Sequence, residues 1–90
     1  MMTLKELRIT HGLSQKELAN LFGISERTVQ NIESDSSNIK DSLLSKYIKA
    51  FNIGYDDIFL GNKYENIVFM NKKKEKVIST YRLNTESTFV

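Results

Sequence analysis

The stretch Gln15-Lys16-Glu17-Leu18-Ala19-Asn20-Leu21-Phe22-Gly23-Ile24-Ser25-Glu26-Arg27-Thr28-Val29-Gln30-Asn31-Ile32-Glu33-Ser34 decides the fold. Ala19 sits beside Leu18, Leu21 and Phe22, and only a small side chain there lets two helix backbones approach at a crossing. Gly23 follows, where a tight reversal needs a positive φ that glycine adopts without a Cβ penalty. Ile24 then faces inward. Ser25 stands at an N-cap position, its hydroxyl able to accept an early backbone N–H of a second helix that begins near Glu26. At about 100° per residue, Glu26, Arg27, Gln30, Asn31 and Ser34 share one outward arc, and Val29 and Ile32 lie opposite.

Upstream, Thr3 and Glu6 have the spacing of a capping box, and Leu4, Leu7, Arg8 and His11 share a helical face that Gly12 ends. Ser14 and Glu17 repeat the device. These signals predict helices over about 3–11, 15–22 and 26–34. The polar run Ser34-Asp35-Ser36-Ser37-Asn38 reads as a loop. Leu43, Leu44, Tyr47, Ile48 and Phe51 form an apolar stripe opposite Lys46 and Lys49, which predicts a fourth helix over about 41–52. Asp56 and Asp57 suit the first turn of a short fifth helix near 55–60, with Ile58 and Phe59 available for burial.

After Gly61 the character changes. Ile67-Val68-Phe69-Met70 and Val77-Ile78-Ser79-Thr80-Tyr81 are rich in β-branched and aromatic residues and are separated by the polar run from Asn71 to Lys76. This pattern favours a β-hairpin, with Lys72-Lys73-Lys74 in a solvated loop. The helical spacing of Ile67, Met70, Val77, Ile78 and Tyr81 leaves a helix open. The end of the chain, from Asn84 to Val90, reads as loosely ordered.

Composition narrows the function classes. Ninety residues, 40% hydrophobic and 27% charged, suit a small globular unit, divided here as 1–61 and an extension over 62–90. No run approaches a membrane span and no signal-peptide pattern opens the chain, so a cytoplasmic location is expected. With no cysteine, one histidine and no glycine-rich phosphate loop, neither a metal site, a cofactor, a small-molecule ligand nor an enzyme is indicated. Residues 1–60 carry seven Lys/Arg against eight Asp/Glu, whereas residues 61–90 carry six against three. The basic excess lies wholly in the tail, so the helical lobe must meet any polyanion through placed cations.

Two helices crossed about a glycine turn, the second with a polar outward face, form a helix-turn-helix. In that arrangement the second helix enters the major groove of double-stranded DNA, where such side chains reach base edges. The chain resembles the Cro and phage-repressor family of helix-turn-helix regulators over residues 3 to 60. The likeness rests on Leu7-Arg8, Gly12-Leu13-Ser14-Gln15, Leu18-Ala19, Gly23-Ile24-Ser25, Thr28-Val29, Ile32-Glu33, Phe51-Asn52-Ile53 and Asp57-Ile58-Phe59.

The resemblance implies a mainly α, five-helix lambda-repressor-like domain, followed here by the hairpin or helix. It also implies a homodimeric regulator of a bacterial or phage promoter, a repressor, bound to a pseudo-palindromic operator. Gln15 would touch phosphate and brace helix three, and Glu26, Arg27, Thr28 and Asn31 would lie in the groove or at its edge. Ser25 and Gln30 complete that candidate set. Ser36, Ser37, Asn38 and Lys40 would approach the other strand. Arg8 and Glu33 correspond to an interhelical ion pair, which suits Arg8 on the apolar face of helix one. Many relatives carry glycine and lysine or arginine where this chain has Ser34-Asp35-Ser36-Ser37. For the tail, Ile67, Phe69, Val77 and Tyr81 are candidate dimerisation residues, with packing onto the chain's own lobe as the alternative. A protein-interaction module, an antirepressor or adaptor, is the competing functional reading.

Overall fold

Two reciprocal capping boxes set the first two helices. Thr3 Oγ1 accepts the Glu6 N–H at 3.1 Å while Glu6 accepts the Thr3 N–H at 3.0 Å, and Ser14 and Glu17 do the same at 3.0 and 2.9 Å. The computed structural model describes residues 1–86. Its elements are α1 (Leu4–Thr10), α2 (Gln15–Phe22), α3 (Glu26–Ser34), α4 (Asp41–Phe51), a 3₁₀ turn (Tyr55–Asp57) and α5 (Lys63–Glu86). Gly23 ends α2 in the left-handed region at φ 69°. The reversal it makes brings α3 across α2 at Ala19, which is buried.

The core beneath this crossing joins Leu4, Leu7, Leu18, Phe22, Val29, Leu44, Tyr47, Phe51 and Ile58. Phe22 meets Tyr47 edge-on with ring centroids 5.0 Å apart, and Tyr47 lies 6.1 Å from Phe51. His11 packs its ring 4.7 Å from Phe51 and hydrogen-bonds the Leu7 carbonyl. The N-terminus closes the lobe: the Met2 N–H donates to the Asp57 carbonyl and the Phe59 N–H donates to Met2. Only the 3₁₀ turn forms where a fifth helix over 55–60 was expected, because Ile58 and Phe59 extend to pair with Met2.

The hairpin expected after Gly61 does not form; residues 63–86 are one helix. The Asn71–Lys76 run lacks the glycine that a tight hairpin turn demands, and Lys and Glu are good helix formers. Asn62 and Glu65 start the helix with reciprocal bonds of 2.9 and 3.0 Å. Its first half docks on the lobe. Asn66 Nδ2 donates to the Ser34 carbonyl at 2.9 Å and the Gly61 carbonyl at 3.1 Å, and Phe69 stacks on Phe59 at 4.2 Å. Lys73, in a run expected to be a loop, sits over the Phe69 ring and donates to Glu6 and to the Met1 carbonyl. Phe69 thus packs onto the chain's own lobe, the alternative expected for this extension. Asn84, Thr85 and Glu86 belong to α5, and the rest of the segment expected to be loose lies outside the described residues. Among the described residues, no helix is long and apolar enough to cross a membrane.

Candidate nucleic-acid interface

The back of α3 is anchored by both grease and charge. Val29 is fully buried, and Glu33, also buried, accepts Arg8 Nε at 2.6 Å and Arg8 Nη2 at 3.0 Å. Arg8 Nη1 donates to the Leu13 carbonyl at 2.9 Å, and Gln15 Nε2 donates to Glu33 Oε1 at 3.1 Å. One carboxylate thus gathers α1, the head of α2 and α3. The hydrogen bonds to this carboxylate raise the Arg8 pKa above the ordinary guanidinium value. Ser25 caps α3: its hydroxyl accepts the Thr28 N–H at 3.1 Å and shares a 2.8 Å hydrogen bond with the Thr28 hydroxyl.

The opposite face of α3 is open. Glu26, Arg27, Gln30, Asn31 and Ser34 are exposed, with Thr28 half-buried at the flank. The helix is a ridge between two grooves. One, about 590 Å³, runs along Thr28 and Asn31 and is walled by Asn38, Ile39, Lys40 and Leu43. The other, about 410 Å³, runs along Gln30 and Ser34 and is walled by Lys5, Gln15 and the first turns of α5.

The loop after α3 departs from expectation at Ser36. That side chain is 2% exposed; its hydroxyl accepts the Gly61 N–H at 2.9 Å and donates to the Gly61 carbonyl at 3.2 Å. Ser36 therefore cannot present its hydroxyl to DNA, because a buried hydroxyl left without these bonds would cost more than one phosphate contact returns. Ser37 donates through its N–H and hydroxyl to Asp35, which holds that carboxylate below its usual range. Asn38 and Lys40 remain exposed. Ile67 borders the second groove, and Val77 and Tyr81 lie on the free half of α5.

Sequence reasoning missed Asn66 and Lys73, which fix α5, and Lys5 and Lys63, which rim the second groove. A signal for the first two was present. Asn62 and Glu65 have the same spacing as the two boxes upstream, and a helix begun there puts Asn62, Asn66, Phe69 and Lys73 on one face.

A helix-turn-helix family model matches residues 4–58, well over half of the chain. The chain belongs to this family, the Cro and phage-repressor type of DNA-binding transcriptional regulator. Over 65 residues it is 35% identical to Antitoxin PezA of Streptococcus pneumoniae serotype 4 (strain ATCC BAA-334 / TIGR4), covering 72% of this chain and 41% of that protein. Over 73 residues it is 34% identical to a provisionally named HTH-type transcriptional regulatory protein of Pyrococcus abyssi (strain GE5 / Orsay), covering 69% of this chain and 23% of that protein. The chain thus spans less than half the length of either relative.

Proposed function

We propose that this chain is a sequence-specific repressor that inserts α3 into the major groove of a pseudo-palindromic operator. The observation that carries the reading is the division of α3 between its two faces: Val29 and Glu33 are locked from behind, so Arg27, Gln30 and Asn31 project from a rigid ridge. Arginine can pair with guanine O6 and N7, and an Asn or Gln amide with adenine N6 and N7. Glu26 complements the helix N-terminus and can accept from cytosine N4. Ser25 and Thr28 hold one another at the groove edge, Gln15 meets phosphate while bracing Glu33, and Ser37, Asn38 and Lys40 approach the second strand. Residues 1–61 form the DNA-binding unit and 62–90 the extension. Two copies, working in the cytoplasm, would set their α3 helices about 34 Å apart along the duplex.

Selecting bound sequences from random duplexes with the full chain tests this reading, and a two-fold symmetric consensus is expected. Arg27→Ala should then weaken binding to the selected site by about 1–3 kcal/mol. An unchanged footprinting titration removes Arg27 from base recognition. The name antitoxin, borne by one relative, favours a second reading in which the free half of α5 binds a protein. Salt separates the two: binding through several phosphates weakens steeply as salt rises, whereas a pure adaptor is not retained on duplex DNA at low salt.

A further inference from the structure

We propose that the groove between α3 and the first turns of α5 holds the phosphodiester backbone of one DNA strand, with Lys5 and Lys63 as its cationic contacts. This inference rests on the reading of α3 as a major-groove helix. A helix with its side chains is about 10–12 Å across, and the major groove is about 12 Å wide. An inserted α3 therefore brings the two bordering backbones against its flanks, where the two grooves lie. Asn38 and Lys40 already serve the first.

The second groove is lined for an anion. Lys5 and Lys63 stand on its walls with the amides of Gln15 and Gln30, and neither lysine has a carboxylate partner among the described residues. The acid at its floor, Glu33, is covered by Arg8 and Gln15. Its geometry is fixed, because Asn66 ties the head of α5 to the last carbonyl of α3 and Ser36 ties Gly61 to the loop. Lys63 is consequently held at a set distance from the recognition face, although it belongs to the basic tail and not to the lobe. Residues 1–60 carry more acids than bases, so a cation supplied by α5 answers the lobe's shortage.

The test compares the full chain with the Lys5→Ala/Lys63→Ala double variant, using fluorescence anisotropy on the selected duplex and on a mixed-sequence duplex across a salt series. A second double variant, Lys49→Ala/Lys76→Ala, removes two charges from α4 and from α5 beyond the groove. On the selected two-fold site, where each of two copies loses two contacts, the groove variant should flatten the plot of log K against log salt by about 3.6, at about 0.9 per lost phosphate contact. Its affinity should fall by the same factor on both duplexes, leaving the preference between them intact. The control variant should keep the parent slope. A parent slope in the groove variant, or an equal change in the control, overturns this inference alone. A wild-type chain with no salt-dependent duplex binding overturns the major-groove reading and this inference with it.

Discussion

Tyr47 lies fully buried beneath the Arg8–Glu33 pair, and its hydroxyl has no hydrogen-bond partner among the described residues. Burial, with the nearby Glu33 charge, pushes its pKa well above the ordinary tyrosine value, so the phenol stays neutral. Its ring fills the core against Phe22 and Phe51, whereas the oxygen contributes only desolvation. Tyr47→Phe is therefore expected to stabilise the fold by about 1 kcal/mol in urea or thermal denaturation, since the ring is kept and an unsatisfied group is removed. A loss of similar size would show that the hydroxyl has a partner in solution. The sequence announces the ring, because Tyr47 falls on the apolar stripe of α4, but nothing in it announces the orphaned oxygen. Arg8 and Glu33 are the reverse case. An arginine on an apolar face needs a partner, and that need is visible before any coordinates.

Helix ends were the most legible feature at the level of elements, because caps are local chemistry: Thr3 with Glu6, Ser14 with Glu17, and Gly23 in its left-handed turn act over three residues or fewer. Such caps also carry a pH dependence. Backbone and hydroxyl hydrogen bonds from Ser14 hold the Glu17 carboxyl below its usual range. A folded-state pKa lowered in this way gives stability that is present above the unfolded value and is lost as pH falls through the folded one. Glu17→Gln keeps an acceptor for the Ser14 N–H without a titrating group. Between about pH 6 and pH 3, the variant's melting temperature should therefore fall less than that of the parent. Parallel pH profiles would show that the box contributes nothing through charge. For α5 the sequence leaves hairpin and helix both open and favours the hairpin, because the docking of this element is not local. The Ile67-Val68-Phe69 run has the look of a strand, and the anchors that hold the helix are the Asn66 amide on the Ser34 carbonyl, the Phe69 ring on Phe59 and the Lys73 ammonium on Glu6 and the Met1 carbonyl. These partners lie far away along the chain, and strand propensity is overridden by such tertiary contacts.

At the scale of the molecule, α5 gives the chain a long axis of 56 Å. Asn66, Phe69 and Lys73 bind the helix to the lobe along one face, and beyond Lys73 it leaves the lobe. There Val77 is 69% exposed and Tyr81 70%, with Ile78 beside them. At about 100° per residue these three share an arc roughly a quarter-turn from the docking face. A second copy related by a two-fold axis can cover that arc while both α3 helices stay free, and a 90-residue chain gains core area by doing so. A dimer formed in this way would rest on a helix rather than on paired strands, and on Val77 and Tyr81 rather than Phe69, with Ile67 bordering the groove beside α3. Val77→Glu/Tyr81→Glu puts two carboxylates where each would meet its symmetry mate, at a cost that an apolar interface does not tolerate. Because both positions are already exposed in one copy, the monomer fold should melt unchanged. Sedimentation should shift from dimer to monomer, and affinity for a symmetric operator should fall by about a hundredfold or more as the two half-sites lose their linkage. A double variant that still sediments as a dimer would move the interface elsewhere on the molecule. If the parent chain is itself monomeric both free and on DNA, the free half of α5 is left to a different protein.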